Sequence, residues 1–111
     1  ALPVIEMAPL EGFYDYKNKY QAGGAVETCP ALISPEQTGK LQALAERVFQ
    51  VLRLKNYARM DFRMNEAGDF FCLEANTLPG MTPISLLPQE AAAAGMDFPD
   101  LCERILECAM R

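Results

Sequence analysis

Two segments of the 111-residue sequence carry carboxylates, an amide and a guanidinium at alternate positions. Arg59 and Asp61 are two apart in the first segment, and Glu74 and Asn76 are two apart in the second. Residues two apart on a β-strand lie on the same face. Hard divalent cations such as Mg²⁺ prefer oxygen ligands and usually keep phosphate and water in their coordination shell. If the two segments pair, the pattern predicts a metal–nucleotide site in which Arg59 balances developing negative charge.

The register of this pairing decides whether the polar side chains meet. Residues Tyr57–Met64 and Phe70–Asn76 both alternate with period two around the turn-forming residues 65–68, which predicts a β-hairpin. With Met64 paired to Asp69, the two carboxylates become diagonal neighbours, about 7 to 8 Å apart at Cα. A slip of one residue would turn the second carboxylate and the amide to the opposite face. The alternative is a solvated polar face with an Arg–Glu pair across the strands.

A second group of potential ligands follows the hairpin. The turn-rich residues Pro79–Thr82 precede Ser85, whose residue type is typical of a helix N-cap. Backbone N–H groups beside a helix N-terminus bind carboxylates and oxyanions. The same pattern is also typical of an ordinary Pro-Gly turn with a capping serine, and both interpretations stay open at this point.

The composition excludes several classes of chemistry. The sequence has no histidine, which excludes catalytic triads and dyads that use imidazole and zinc sites with histidine ligands. The net charge is −5, and the ten lysines and arginines are scattered along the chain. This distribution argues against nucleic acid and anionic membrane surfaces as partners. No apolar run approaches the roughly 18 residues of a membrane span.

The four cysteines, Cys29, Cys72, Cys102 and Cys108, match neither a CxxC pair nor a zinc ribbon. Cys102 and Cys108 are six apart, about 240° around a helix, so they cannot meet on one helical face. Nothing upstream resembles a secretory signal. We therefore expect reduced, mostly buried thiols in a cytoplasmic protein, with a disulfide framework as the alternative.

The surrounding pattern predicts a single α+β domain over residues 1–111, with a mainly antiparallel sheet flanked by helices. Local signals define the helix ends: a capping box starts at Ser34, Gly95 ends the second helix, and Asp97 caps the third. The apolar stripe of the first helix is expected to be core. Outside the hairpin, the predicted elements are strands Leu2–Met7 and Thr28–Ile33 and helices Pro35–Arg53, Ser85–Ala94 and one that follows Asp97.

Residues 9–27 are predicted to form a long loop. Loops of this length in compact domains are more often lids or binding loops than idle segments, and a mobile surface excursion is the alternative. The chain also begins abruptly in an apolar strand, as an internal segment of a longer protein would. One domain of this length cannot enclose a deep two-lobed cleft, so we expect such chemistry to need further protein.

The most informative motifs are Tyr57–Phe62 and Leu73–Pro83, preceded by Phe13–Tyr16 and Lys19–Tyr20. Together they resemble the C-terminal part of the D-alanine–D-alanine ligases, which are ATP-grasp enzymes of bacterial cell-wall synthesis. The resemblance covers essentially the whole chain, and its Glu-Ala-Asn-Thr-Leu-Pro-Gly-Met-Thr motif is highly specific. It implies the C-terminal lobe of an ATP-grasp fold and favours a metal site over a solvated hairpin.

The resemblance implies roles for the polar face of the hairpin. Asp61, Glu74 and Asn76 would hold two Mg²⁺ ions, with Glu74 bridging them and Mn²⁺ as an alternative metal. Arg59 and the backbone of Gly80 would stabilise the tetrahedral intermediate that forms when the amine of a second D-alanine attacks the first as an acyl phosphate. The resemblance also implies ATP as the co-substrate. The absence of histidine is compatible with this, because phosphoryl transfer depends on positioning and charge neutralisation.

The resemblance also implies contacts with both substrates. Ser85 and Leu86 would hold the carboxylate of the second D-alanine. Tyr20 would lie on the loop of residues 9–27, which would close over the site as a covering loop. Lys19, on the same loop, would lie near the phosphates of ATP. The residues that would face the nucleotide base are Leu73 and Phe13.

A full-length enzyme of this kind would be several-fold longer and homodimeric, with N-terminal and central domains that bind the first D-alanine and grip the nucleotide. The isolated chain is therefore expected to be inactive. Relatives that use D-lactate or D-serine as second substrate are an alternative, although Tyr20 favours D-alanine. A non-catalytic fragment that binds a metal or a partner surface is the alternative of a different class.

Overall fold

The computed structural model describes residues 1–9 and 25–110 of the chain. Its elements, in chain order, are β1 (Glu6–Pro9), β2 (Ala25–Thr28), α1 (Pro35–Val51), β3 (Arg59–Met64), β4 (Phe70–Asn76), α2 (Leu86–Ala93) and α3 (Phe98–Ala109). Strand β1 pairs antiparallel with β2, and β3 pairs antiparallel with β4. The expected α+β class with antiparallel strands and helices is confirmed. Within the described ranges the strands divide between two two-stranded sheets.

Both predicted N-terminal strands, Leu2–Met7 and Thr28–Ile33, are displaced in the structure. Strand β1 begins later, because the backbone before it is engaged elsewhere: Leu2 O accepts a hydrogen bond from α1 at 3.0 Å. Strand β2 ends before Pro30, which has no N–H to donate to a ladder. Alternation of residue types therefore misplaced these short strands by several residues.

The predicted covering loop, residues 9–27, includes strand residues at both of its ends. Pro9 belongs to β1 and pairs with Ala25 of β2, so strands occupy its first residue and its last three. Residues 10–24 lie outside the described part of the chain. The loop residues predicted to bind nucleotide or substrate, which are among these, are Phe13, Lys19 and Tyr20.

Helix α1 begins where the sequence predicts. The Ser34 hydroxyl accepts a hydrogen bond from the backbone N–H of Gln37 at 3.1 Å, and Gln37 Oε1 accepts one from the backbone N–H of Ser34 at 3.2 Å. This capping box satisfies donors that the first turn of a helix leaves unpaired. The helix ends at Val51, within two residues of the predicted end.

The prediction that the apolar stripe of α1 is core is wrong. No residue of α1 is buried. Leu44, Val48 and Val51 instead line an open cleft of about 420 Å³, which Cys72 and Ala75 of β4 line from the other side. A two-stranded sheet, with strands about 4.8 Å apart, is too narrow to cover the side of a helix about 10 Å wide.

The buried core of the described chain lies between α2 and α3. Leu87 and Ala91 of α2 and Leu101 of α3 form one cluster, and Ile105 packs against it. Ala91 is completely inaccessible to solvent, so the two helices meet closely at that position. This core holds the N-terminal end of α2 in place next to the turn that follows β4.

The turn between these helices follows the predicted signals. Gly95 has a φ of +87°, a left-handed conformation that glycine adopts without steric cost, and it lets the chain reverse after α2. Asp97 then caps α3, since its carboxylate accepts a hydrogen bond from the backbone N–H of Asp100 at 2.9 Å. Among the residues that the structure describes, no helix is both long and apolar enough to cross a membrane.

The four cysteines are unpaired thiols, in agreement with the predicted reduced state. Their predicted burial is wrong, because Cys72 and Cys102 are exposed and Cys29 and Cys108 are half-buried. The exposed positions lie on β4 and α3, which present apolar side chains to solvent in this chain.

The close contact at Ala91 predicts a position-specific cost of added volume. We expect Ala91→Leu to lower the free energy of unfolding by roughly 1 to 3 kcal/mol, because extra methyl groups would force α2 and α3 apart. Ala93→Leu, on the exposed side of the same helix, should change it by less than about 0.5 kcal/mol. Denaturant unfolding of both variants measures the difference, and equal effects would contradict the close packing of Ala91 between α2 and α3.

Candidate active site

The β3–β4 hairpin has a different register from the predicted one. Met64 pairs with Phe70, whereas the sequence pattern paired it with Asp69. The turn between β3 and β4 is one residue longer than predicted, because Asn65 and Asp69 pair with each other at its base. The Asn65 backbone N–H donates to Asp69 O at 3.0 Å, and Asn65 Oδ1 accepts from the Asp69 N–H at 2.8 Å. Gly68, with a φ of +87°, supplies the left-handed position of this turn.

A β-bulge in β4 then changes the register again. Asp61 pairs with Glu74, but the next residue, Phe62, pairs with Cys72, so Leu73 is the extra residue. Without the bulge, the turn register would set Asp61 opposite Leu73 and would direct Glu74 to the other face. The predicted shared face of the two carboxylates is therefore present, although by a different route, and they are directly opposed instead of diagonal.

Arg59 links the two opposed carboxylates. Its Nε donates to Asp61 Oδ1 at 2.8 Å and its Nη2 donates to Asp61 Oδ2 at 3.1 Å, a bidentate, charge-assisted pair. Its Nη2 also lies 3.8 Å from Glu74 Oε1. The side chains of Arg59 and Asp61 are 13% and 21% exposed, whereas that of Glu74 is 53% exposed. The site thus consists of a largely shielded ion pair with one accessible carboxylate beside it.

Asn76 contributes the third oxygen of the predicted ligand set. It pairs with Arg59 across the hairpin, so its side chain shares the face of the carboxylates. Asn76 Oδ1 accepts a hydrogen bond from the backbone N–H of Leu78 at 3.0 Å, which fixes the orientation of the amide and leaves one lone pair on the oxygen. This contact begins the turn that leads away from the hairpin.

The donor set fits a hard divalent cation that is shared with other oxygen ligands. Within residues 1–9 and 25–110, no group of three or more His, Cys, Asp or Glu side chains could hold a metal ion. Two carboxylates and one amide therefore need additional oxygens, and Mg²⁺ commonly takes these from phosphate and water. The chemistry of the residues agrees with Mg²⁺ bound together with a nucleotide.

The turn after β4 builds a compact structure around a serine hydroxyl. Ser85 Oγ accepts from the Thr82 backbone N–H at 2.9 Å and lies 2.7 Å from Thr82 Oγ1. A Cβ on Gly80 would lie 2.8 Å from Ser85 Oγ, so only glycine fits there without displacing the hydroxyl. Ser85 is the N-cap of α2, as predicted, but its side chain makes no hydrogen bond to the first turn.

This arrangement clarifies how the first turn of α2 can bind an anion. The side chain of Leu86 is buried, so only its backbone N–H can contribute to ligand binding. The first N–H groups of a helix have no partner within the helix, and they attract carboxylates through their charge and direction. If these residues bind a carboxylate as predicted, Ser85 can contribute its hydroxyl and Leu86 its backbone N–H.

Leu73, which was predicted to face a nucleotide base, lies at the bulge. Its side chain is 65% exposed and directly precedes Glu74 in the sequence. An exposed apolar side chain next to a polar site is available for contact with a flat ring.

Glu90 is a member of the site that the sequence analysis missed. It lies on α2, and burial raises the pKa of its carboxyl to about 7, with Arg59 lowering the pKa and Asp61 raising it. Helix α2 thus brings a third carboxyl group into the electrostatic environment of the Arg59–Asp61 pair. One signal was available: Glu90 is the single charged residue in an otherwise uncharged helix.

The chain matches a family model described as D-ala D-ala ligase C-terminus over residues 1–107. It is 50% identical to the D-alanine–D-alanine ligase of Nitratidesulfovibrio vulgaris and 49% identical to that of Desulfotalea psychrophila. Each comparison covers 99% of this chain, but only 37% and 35% of those relatives. The chain therefore spans about a third of the length of the curated relatives it matches.

Solved structures agree with the sequence comparisons. A crystal structure of D-alanine–D-alanine ligase from Bacillus anthracis complexed with ATP matches 99% of this chain and 34% of that protein, with a TM-score of 0.82 and 29% identity. A second crystal structure of the Bacillus anthracis ligase matches with a TM-score of 0.78 and 33% identity, over 99% and 36% of the two chains.

The raised pKa of Glu90 predicts a pH-dependent effect on stability. Its folded pKa of about 7 exceeds the ordinary value of 4.5, so between these pH values the native state keeps a proton that the unfolded state has lost. Stability from this group is therefore present below pH 4.5 and is lost as the pH rises towards 7. We expect Glu90→Gln to stabilise the protein above pH 7, by at most roughly 3 kcal/mol.

Denaturant unfolding at pH 4 and pH 8 measures this effect. The difference between Glu90→Gln and the wild type should appear at pH 8 and vanish at pH 4. Glu66→Gln, in the exposed hairpin turn, is the matched control and should show no such dependence. A Glu90→Gln effect that is the same at both pH values would contradict the assigned pKa.

Proposed function

The chain belongs to the D-alanine–D-alanine ligase C-terminus family, and we propose that it forms the C-terminal catalytic lobe of an enzyme that joins two D-alanines. The reaction would convert ATP to ADP and phosphate and would proceed through an acyl phosphate, to supply a precursor of peptidoglycan. The observation that carries this proposal is the direct opposition of Asp61 and Glu74 around Arg59 on one face of the hairpin.

In this proposal Asp61, Glu74 and Asn76 hold two Mg²⁺ ions, or Mn²⁺ in their place. The bound metal would neutralise the negative charge of the phosphates during transfer. Glu74 is more accessible than Asp61, which supports its proposed role as the ligand that both ions would share. Arg59 provides the fixed positive charge beside them and would stabilise the tetrahedral intermediate.

The second D-alanine would bind at the turn before α2. Its carboxylate would accept hydrogen bonds from the Ser85 hydroxyl and from the backbone N–H of Leu86, where the helix N-terminus favours negative charge. The backbone N–H of Gly80 would face the developing oxyanion. The 2.8 Å approach that a Cβ on Gly80 would make to Ser85 Oγ supports a site in which the turn and the serine act as one unit.

The nucleotide would contact Leu73 at the bulge, together with Phe13, while Lys19 and Tyr20 would belong to a loop over the site. The ligase from Bacillus anthracis that is similar over 99% of this chain is complexed with ATP, and this supports ATP as the co-substrate. The assignments of Phe13, Lys19 and Tyr20 rest on the family motifs alone.

The remaining parts of the active site would come from protein outside this chain. Since the chain spans about a third of its relatives, we expect other domains of the same enzyme to bind the first D-alanine and part of the nucleotide. The isolated chain would then catalyse no ligation. The full-length enzyme is proposed to be cytoplasmic, because its co-substrate ATP is a cytoplasmic metabolite. The proposal that it is a homodimer rests on the family resemblance alone.

The metal assignment predicts the effect of Glu74→Gln in the full-length enzyme. The amide keeps the size of the side chain but loses its charge, so kcat/KM for ligation should fall by a factor on the order of 10² or more, as for other losses of charge-stabilising groups. Calorimetry should also show that Mg²⁺-dependent binding of ADP is lost. Glu66→Gln, a matched change in the hairpin turn, should retain both properties, and normal Mg²⁺-dependent binding in Glu74→Gln would refute the metal assignment.

The acceptor site predicts a separate effect for Gly80→Ala. The added methyl group would displace the Ser85 hydroxyl, so the KM for the second D-alanine should rise roughly tenfold, which corresponds to about 1.4 kcal/mol. Gly39→Ala is the control, because a Cβ there meets nothing within 4 Å and should only stabilise α1 slightly. Steady-state kinetics with D-alanine, D-lactate and D-serine would measure this change and would identify the acceptor.

A further inference from the structure

Arg59 occupies the place between the carboxylates that a cation would take. Its guanidinium donates to both oxygens of Asp61, at 2.8 and 3.1 Å, and lies 3.8 Å from Glu74 Oε1. The same two carboxylates are the charged ligands of the proposed metal site. Arg59 therefore already interacts with the two carboxylates that a divalent ion would bind.

The charge balance explains why a cation must be present there. Carboxylates that face each other directly across two strands repel one another. Asp61 and Glu74 are such a pair, and Arg59 offsets their repulsion through a planar fork that matches a carboxylate. The ion pair is also largely shielded from water, so its attraction is screened less than that of a surface pair.

The Asp61 carboxylate cannot bind a metal ion strongly and, at the same time, keep both of its hydrogen bonds from Arg59 at full strength. Coordination withdraws electron density from the oxygens and weakens them as hydrogen-bond acceptors, and the positive charges repel each other. We propose that Arg59 holds Asp61 and Glu74 in place while the site is metal-free, and that it leaves Asp61 when a divalent cation binds. This inference rests on the proposed function, since it takes Asp61 and Glu74 as the metal ligands.

The exchange gives Arg59 a positioning role in addition to its proposed contact with the intermediate. While it is paired with Asp61, its donors are directed along the strand. Once released, the guanidinium is free to turn towards negative charge that develops in the substrate. Metal binding at Asp61 and the release of the Arg59 guanidinium are thus coupled. Because such coupling is reciprocal, the Arg59–Asp61 hydrogen bonds must weaken metal binding as much as metal binding weakens them.

The first experiment observes Arg59 in the natural full-length protein. With arginine labelled by ¹⁵N, the Arg59 Nε–H should exchange slowly with water in the metal-free protein, because it is hydrogen-bonded at 2.8 Å. Addition of Mg²⁺ with ADP should accelerate this exchange by a factor of roughly five or more. The Arg59→Lys variant assigns the resonance. Exchange that stays equally slow at saturating Mg²⁺ overturns the proposal.

The second experiment measures affinity for Mn²⁺, an ion detectable by electron paramagnetic resonance, in the presence of ADP. Arg59→Lys keeps the charge but loses the two-pronged contact, so it should bind Mn²⁺ roughly fivefold or more tightly than the wild type. Arg63→Lys, on the same strand, should leave the affinity unchanged. If the lysine variant fails to fold, Arg59→Met sets the upper limit of the effect, because it removes the charge as well as the contact, and unchanged Mn²⁺ affinity in that variant would overturn the proposal.

Mn²⁺ binding by Glu74→Gln and by Arg59→Lys tests the metal site and the exchange of Arg59 separately. If Glu74→Gln abolishes Mn²⁺ binding but Arg59→Lys binds it no more tightly than the wild type, the metal site stands and the exchange is wrong. If Glu74→Gln and the wild type bind Mn²⁺ equally, the metal assignment itself is wrong and the exchange falls with it.

Discussion

Leu73 is the extra residue in the β3–β4 ladder, and the geometry of the site depends on this irregularity. The hairpin turn sets a register that, continued without interruption, would turn Glu74 and Asn76 away from Asp61. The bulge adds one residue to β4 and returns both side chains to the common face. A backbone feature of one residue therefore decides whether the polar groups of two strands form a cluster or lie on opposite sides of a sheet.

This arrangement places two carboxylates opposite each other, and their repulsion must be offset by other groups of the site. Asp61 and Glu74 face each other, and Arg59 is bound to the first and lies close to the second. Helix α2 adds Glu90, whose raised pKa lets it carry a proton near neutral pH. The small core between α2 and α3 holds this helix, and a hydrogen bond from Gln89 to Glu27 of β2 at 3.1 Å attaches it to the β1–β2 sheet. Packing and electrostatics are thus linked through α2.

Local signals predicted the helices well, because a helix start depends on residues three or four apart. The capping box at Ser34, the left-handed Gly95 and the N-cap Asp97 all act as expected. The burial of α1 was not predictable in this way, since it depends on what covers the helix. Large apolar side chains such as Val51 and Phe71 are exposed, and patches of this kind commonly mark surfaces that contact other protein. This agrees with the proposed further domains.

The sequence by itself determined the chemical groups of the site and their spacing along each strand: a guanidinium and a carboxylate in β3, a carboxylate and an amide in β4. It also determined the glycine and serine of the following turn. Only the tertiary structure decided that Asp61 opposes Glu74 and that Glu90 approaches them. The physical reason is that alternation and capping act over a few residues. Strand register depends on the exact length of a turn and a bulge, and the environment of a carboxyl group depends on helices distant in sequence.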